Sequence, residues 1–340
     1  MPRQNLEETM RASPWYAGLW LSVLLASWAL TGTARAEDFP SRPITLIVSF
    51  APGGLTDIPA RVIAPAMQKA LGQSVIVENR AGASGITGGS YVVRSNPDGY
   101  TLLVSALSEV QNFYYMSVPY NALTDLAPVG QIADGPPIVL IVSAGSPFKS
   151  VADLVAYAKA NPSRMNFSTS GAGTTPALAL AQLNALAGTA IAGVPYTGTG
   201  PATQAVVSGD VQGAFVFYPS AKGMIDAGQL RVLALASPNR LALLPDVPTM
   251  QQLGYAGFTH YAFIGLSVPK GTPASAVTVL NKALNEALAT PAVKERLEPL
   301  GMTIPPAPNS PEAYLAYMTK EAAHQAELAK LAGGKVPASH

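Results

Sequence analysis

Cysteine does not occur in this sequence. Its absence removes disulfides, thiol nucleophiles and the thiolate ligands of most zinc sites. Histidine is nearly as scarce: His260, His324 and His340 are all there are. His260 precedes a strand and reads as a packed or capping residue. His324 falls in an amphipathic helix, and His340 is the last residue. No carboxylate pair sits in a glycine-rich loop, so neither an acid–base pair nor a metal-ligand set can be assembled. Asp57 stands isolated and reads as helix-end electrostatics. Charged residues make up 12% of the chain and the net charge is +1, which excludes a basic face for nucleic acid. The apolar run AGLWLSVLLASWAL, Ala17 to Leu30, has 14 residues, against the roughly 20 that a bilayer crossing takes.

That run is followed by TGTARAED, in which Ala34-Arg35-Ala36 suits signal peptidase. The pattern predicts a secretory leader over residues 1–36, cut after Ala36, and a mature protein in the periplasm. Without cysteine, a lipid anchor is excluded. What remains is rich in apolar residues, 49%, with 30 glycines and 30 prolines in 340 residues. A large core with many tight loops is expected, in a chain long enough for two domains.

The apolar, β-branched ITLIV (Ile44–Val48) reads as a buried strand. A helix follows over Asp57–Ala70, with Ile58, Val62, Ala66 and Ala70 on one face and a kink expected at Pro65. SVIVEN and YTLLVSA are further strands, with a helix over Gly88–Ser95 between them. This is a β-α-β-α-β rhythm, and it recurs later. PIVLIVS, MNFSTS, IAGVPY, VQGAFVFY and LRVLALAS read as strands. SVADLVAYAKANP, opened by a Ser150/Asp153 capping box, and TTPALALAQLNALAG, closed by Gly188, read as helices. The fold class expected is α/β, with two parallel-sheet units.

Ligands of such sheets bind beyond the carboxyl ends of the strands. Four loops there are built alike: FAPGGLTD at Phe50, NRAGASGITGG at Asn79, STSGAGTTP at Ser168 and PYTGTGPA at Pro195. Each is rich in Gly, Ser and Thr and leads into a helix. Backbone N–H groups in such loops can converge on an anion without any charged side chain. The bland alternative is four ordinary turns. Enzyme readings find less support: GAGTTP carries Pro176 where a dinucleotide fingerprint wants its third glycine, and neither a P-loop nor a nucleophile elbow is present.

The ordered stretches FPSRPITLIVSFAPGGLTDIPARVIAPAMQKALGQSVIVENRAGASGITGG, NPDGYTLL, DLVAYAKANP, PYTGTGPA, LPDVPTMQQLGY and VPKGTP resemble the Bug-type extracytoplasmic receptors. These are the solute-binding components of tripartite tricarboxylate transporters. The resemblance covers nearly all of the chain after the leader. It implies a two-domain, Venus-flytrap binding protein with crossover strands as its hinge, near PPIVLIVSA and YAFIGLSVP. Lobe 1 would be 37–134 plus 262–340, and lobe 2 would be 135–261.

The resemblance implies a small carboxylate ligand, held by loops matching Gly53, Gly54, Leu55 and Thr56 and matching Ala83, Ser84 and Gly85. The second lobe would close with Ser170, Gly173 and Thr174 and with the segment from Tyr196 to Gly200. Ser105, near the end of the third strand, is included in the expected set. Two positions depart from the family's pattern. Pro176 stands where a histidine is common. Tyr218 stands where an aspartate commonly meets a ligand amino group. Both departures point to an apolar or aromatic wall and a ligand without an amino group, either an aromatic acid or a dicarboxylate. No cofactor or metal is expected. The partners expected are permease subunits of a tripartite transporter or, alternatively, a sensor ectodomain, with the receptor itself a monomer. A secreted enzyme would need a nucleophile or base that the loops do not offer.

Overall fold

A computed structural model describes residues 39–237 and 239–331. The expected leader, 1–36, and its cleavage point after Ala36 lie outside the described residues. Strand β1 (Ile44–Val48) leads through the first glycine loop into helix α1 (Asp57–Leu71). Strand β2 (Val75–Asn79), α2 (Ile86–Val93) and β3 (Thr101–Ala106) follow. The short helix α3 (Leu107–Gln111) starts directly after β3. The one-turn α4 (Ala122–Asp125) then leads into β4 (Leu126–Asp134).

After Gly135, Pro136 and Pro137 the chain enters a second sheet. Its elements are β5 (Ile138–Ser143), α5 (Val151–Ala160), β6 (Asn166–Thr169), α6 (Thr175–Ala187), β7 (Ala192–Pro195), α7 (Thr199–Ser208), β8 (Gly213–Phe217), α8 (Tyr218–Asp226) and β9 (Leu230–Leu235). Residues 236–262 lead back to β10 (Phe263–Pro269) in the first sheet. Helices α9 (Ala274–Ala289), α10 (Pro291–Leu297) and α11 (Pro311–Leu331) follow.

The sheet orders are β2-β1-β3-β10-β4 and β7-β6-β8-β5-β9. The expected parallel sheets are therefore mixed. β1, β2 and β3 pair in parallel, as do β6, β7 and β8, but β10 is antiparallel to both neighbours and so is β5. The reason lies in the connections. The parallel strands of each lobe end at the cleft. A strand that enters a lobe through the cleft must run away from it, against its neighbours.

The cores follow from side-chain alternation and from coverage of both sheet faces. Ile44, Leu46, Ile47 and Val48 are buried, as are Leu102, Leu103 and Val104, and β5 is buried from Ile138 to Val142. Such near-continuous apolar strands need helices on both sides. Burying one such side chain fully stabilises the fold by about 1.5–3 kcal/mol. Local chemistry sets the ends of helices. Ser150 Oγ accepts the Asp153 N–H, while Asp153 Oδ2 accepts the Ser150 N–H. Gly72 and Gly188 close α1 and α6 in the left-handed conformation. Helix α1 runs through Pro65 to Leu71.

Strand β4 and the short helices α3, α4, α8 and α10 escape the sequence reading. LAPVGQIAD is strand β4, in which Pro128 and Gly130 flank a register shift. It is an edge strand, where proline's missing N–H can face away from the ladder. Tyr218, read as the end of a strand, is the first residue of α8, whose Pro219 suits the first turn.

Candidate functional site

The first glycine loop is tied down by a buried carboxylate. Gly53 takes φ +77°, a left-handed conformation that glycine adopts without a Cβ penalty. Its N–H donates to Asp57 Oδ2 at 2.9 Å. Arg61 Nε and Asn79 Nδ2 donate to the same carboxylate at 3.0 and 2.8 Å, and Asn79 Nδ2 also donates to the Phe50 carbonyl. Asp57 is therefore not isolated. Burial alone would raise its pKa, but Arg61, the Gly53 N–H and Asn79 outweigh burial and hold it below the usual carboxylate range. The Gly53 N–H, expected to face an anion, is committed to Asp57 in this arrangement.

The second loop is strained. Gly82, Ala83, Ser84 and Gly85 all have positive φ, a conformation that costs of order 1–3 kcal/mol at each non-glycine residue. The Ser84 carbonyl accepts from Asn112 Nδ2 at 2.8 Å. In the third loop, Ser170 Oγ donates to Thr174 Oγ1 at 3.0 Å, and Thr174 Oγ1 donates to the Gly171 carbonyl at 2.6 Å.

The loops of the two lobes meet directly. The Ala51 N–H donates to the Thr197 carbonyl at 3.0 Å. Gln111 Nε2 donates to the Gly173 carbonyl, and Thr175 Oγ1 donates to Gln111 Oε1 at 3.3 Å. A Cβ on Gly200 would lie 2.5 Å from the Pro52 carbonyl oxygen, and one on Gly171 would lie 2.5 Å from Ser84 Oγ. Only glycine permits these approaches. The structure is thus that of the closed lobes.

Two of the hollows between them lie at the glycine loops. One is walled by Phe50, Leu55, Leu107 and Ser108 from lobe 1 and by Ser170, Thr174, Pro176 and Phe217 from lobe 2, among others. The other, of about 250 Å³, is lined by the Gly82–Gly85 turn, Ser170, Gly171 and Tyr196 and shares Phe50. No charged side chain lines either hollow.

Most of the residues expected at the site are brought together. Leu55, Ser170 and Thr174 face the first hollow; Ala83, Ser84, Gly85, Ser170 and Tyr196 face the second. Gly54 lies against Thr199, Gly173 against Asn112 and Gly200 against Pro52. Thr56 is buried, and its hydroxyl has no hydrogen-bond partner. Two residues are placed elsewhere. Ser105 is fully buried in the first sheet, with its hydroxyl 3.0 Å from Tyr314 Oη. Tyr218 packs in the apolar cluster of lobe 2 with Val139, Ile141 and Val216. Because β8 ends one residue earlier than read, it is Phe217 that reaches the hollow.

Sequence reasoning passed over Phe50, Ser108, Gln111 and Phe217, which no turn signature marks. It also passed over Glu109, a carboxylate in an otherwise uncharged stretch and the one visible anomaly there. Glu109 is buried, and desolvation pushes its carboxyl up to about 7. His260 is half-buried, and desolvation pushes it down to about 4, with Nε2 2.7 Å from Gln182 Oε1. It lines another hollow between the lobes, with Gln111, Thr175 and His324. Among the described residues no three His, Asp or Glu could hold a metal, and no helix is long and apolar enough to cross a membrane.

The sequence model of the tripartite tricarboxylate transporter family receptor matches residues 59–330. Protein BugT of Bordetella pertussis is 35% identical over 319 residues, covering 93% of this chain and 97% of its own. The structure of the periplasmic binding protein BugD superposes with a TM-score of 0.83 at 33% identity, covering 87% of this chain and 99% of that one. The R. palustris protein Rpa4515 with adipate superposes with a TM-score of 0.82 at 32% identity, covering 88% and 99%. The family model describes a transport receptor, and BugD is a periplasmic binding protein. With the family model matched over residues 59–330 and a relative 35% identical along 93% of its length, this chain belongs to the receptor family of the tripartite tricarboxylate transporters.

Proposed function

We propose that this receptor captures a small carboxylate lacking an amino group, an aromatic acid or an aliphatic dicarboxylate, and presents it to permease subunits of a tripartite transporter. The observation that carries the reading is the uncharged cleft. A buried ammonium without a counter-charge would cost several kcal/mol in desolvation, and Asp57, at the first glycine loop, is already spent on Arg61 and Asn79. A carboxylate has partners there. Helices α6 and α7 direct their N-termini at the cleft, and the hydroxyls of Ser170, Thr174 and Thr199 are close by. Hydrogen bonds to a charged group contribute about 1.5–3 kcal/mol each. Three or four of them support micromolar binding, about 8 kcal/mol, after ordering costs.

Phe50 and Phe217 supply aromatic walls for an apolar body. The adipate in the R. palustris relative is a ligand of this kind. In this reading Gly54, Leu55, Thr56, Ala83, Ser84 and Gly85 hold one carboxylate and the loops at Ser170–Thr174 and Tyr196–Gly200 close over it. The protein is exported with its leader cut after Ala36 and works as a monomer in the periplasm.

A thermal-shift and calorimetric panel tests this. Benzoate-type acids, terephthalate-type diacids and C4–C6 dicarboxylates including adipate are set against citrate, aspartate and glutamate. At least one amine-free acid should raise the melting temperature by several degrees and bind in the micromolar range. Tight binding of aspartate or glutamate, with the amine-free acids silent, would overturn the reading.

A further inference from the structure

Ser108 and Glu109 lie outside all four glycine loops, and both are buried. Ser108 lines the hollow walled by Phe50 and Phe217. Its hydroxyl donates to Glu109 Oε2 at 3.1 Å, and the Ala106 N–H donates to the same oxygen at 2.6 Å. The other carboxyl oxygen, Oε1, has no hydrogen-bond partner. Nor has Ser49 Oγ, which faces this carboxyl from the residue after β1. Buried polar atoms left unpartnered are rare in native proteins. Either protonation state can pair the two: the Ser49 hydroxyl donates to an ionised Oε1, and a proton on Oε1 donates to the Ser49 oxygen.

The surroundings favour that proton. Tyr120 faces Glu109 from the segment before α4, and Tyr314 faces it from α11. Neither brings positive charge. β3 and the Ala83–Gly85 turn carry no titratable side chain. Asp125 of α4 is turned to the Asn121 N–H, and Glu321 of α11 is bonded to Tyr261. No cation among these groups supports an ionised Glu109.

The proton changes what Ser108 shows the cleft. A carboxylate holds a donated hydrogen about twice as strongly as a neutral oxygen does. Beside an ionised Glu109, the Ser108 hydrogen is drawn inward and only lone pairs face the hollow. Beside a neutral Glu109, the hydroxyl is free to donate to an anion. We infer that Ser108 is a further ligand-binding residue and Glu109 its positioning residue, neutral Glu109 releasing the Ser108 hydroxyl to the ligand carboxylate so that binding takes up a proton. This rests on the carboxylate-receptor reading above. The balance is simple: one proton passes from solvent to Glu109 Oε1, and no other bond is made or broken.

Two measurements on the full mature protein test it, one without ligand. Infrared difference spectra between wild type and Glu109→Gln should show the carbonyl stretch of a protonated carboxyl in mildly acidic buffer, fading as the solution turns alkaline. Its absence throughout would overturn the inference whatever the ligand. Adipate is the probe for the second, by calorimetry at about pH 6.5 and about pH 8.5, where uptake of one proton weakens binding by up to tenfold per pH unit above the group's pKa.

Wild type should show that weakening. Glu109→Gln, whose amide can mimic the neutral acid, should bind equally at both pH values. Ser108→Ala should bind weakly at both. Adipate affinity that is independent of pH and untouched by Ser108→Ala would refute the inference and leave the receptor reading standing. Failure of wild type to bind adipate or any other amine-free acid of the panel would instead overturn the receptor reading, and the ligand role of Ser108 with it.

Discussion

Glu109 makes the stability of the fold depend on pH in the opposite direction from most carboxylates. Its ordinary value is 4.5 and burial raises it to about 7. The folded state therefore binds the proton more tightly than the unfolded chain does. Its favourable contribution is complete below pH 4.5 and is lost as the pH rises from 4.5 to about 7. The shift corresponds to a loss on the order of 3 kcal/mol across that window. Chemical denaturation as a function of pH should show wild type losing stability there relative to Glu109→Gln, which is neutral throughout. Parallel profiles for the two proteins would show that the carboxyl titrates normally. Asp57 works with the opposite sign. Held below its ordinary value by Arg61, Asn79 and the Gly53 N–H, it stabilises above that value and ceases to as acid protonates it. The Asp57–Arg61 pairing has an i,i+4 spacing that the reading of Asp57 as isolated passed over. The participation of Asn79 was not, because 22 residues separate it from Asp57.

At the scale of elements, the glycine loops have two separate duties. Gly53, Gly82 and Gly85 are needed for backbone conformation. Gly200 is different: it lies within α7, and its missing Cβ lets the helix touch the Pro52 carbonyl. Gly200→Ala should therefore leave lobe 2 as stable or slightly more so, since alanine is the better helix former by up to about 1 kcal/mol. Ligand affinity should fall at least tenfold, because the closed approach is blocked. An unchanged melting temperature with weakened binding is the expected pair of results; unchanged binding would mean that the two lobes need not come this close. Elements whose pattern is local, such as α5 with its capping box or β1 with its apolar run, could be read from sequence. β4 could not. Its Pro128 and Gly130 break the alternation, and they are tolerated because it is an edge strand bulged against β10.

For the whole molecule, function depends on the balance between open and closed lobes. Gln111 is the side chain that spans them, bonded to the Gly173 carbonyl and to Thr175 Oγ1 and almost fully buried. Gln111→Leu keeps much of the bulk and removes both bonds. In the open state water can satisfy Gly173 and Thr175; in the closed state of the variant nothing does. At about 1 kcal/mol per bond, the ratio of closed to open molecules should fall by roughly thirtyfold. Faster ligand dissociation, with a larger radius of gyration by solution scattering, would register this. A variant with wild-type dissociation and scattering would show that the backbone contact between Ala51 and Thr197 suffices.

Legible in the sequence alone were the α/β class, nearly every strand, the longer helices, and the four glycine-rich loops at the carboxyl ends of the strands. Each of these depends on patterns within a few residues: alternation, caps, and the freedom of glycine. It also pointed to a ligand without an amino group, partly from Tyr218. The tertiary structure moved that wall to Phe217, because a strand ending one residue earlier turns the next side chain into the core of lobe 2. The antiparallel crossovers, the network that engages the Gly53 N–H, the Gln111 bridge between lobes and the unpaired oxygen of Glu109 came into view with the three-dimensional fold. All of these are relations between segments far apart in the chain, set by how two lobes pack and close, and no local pattern encodes them.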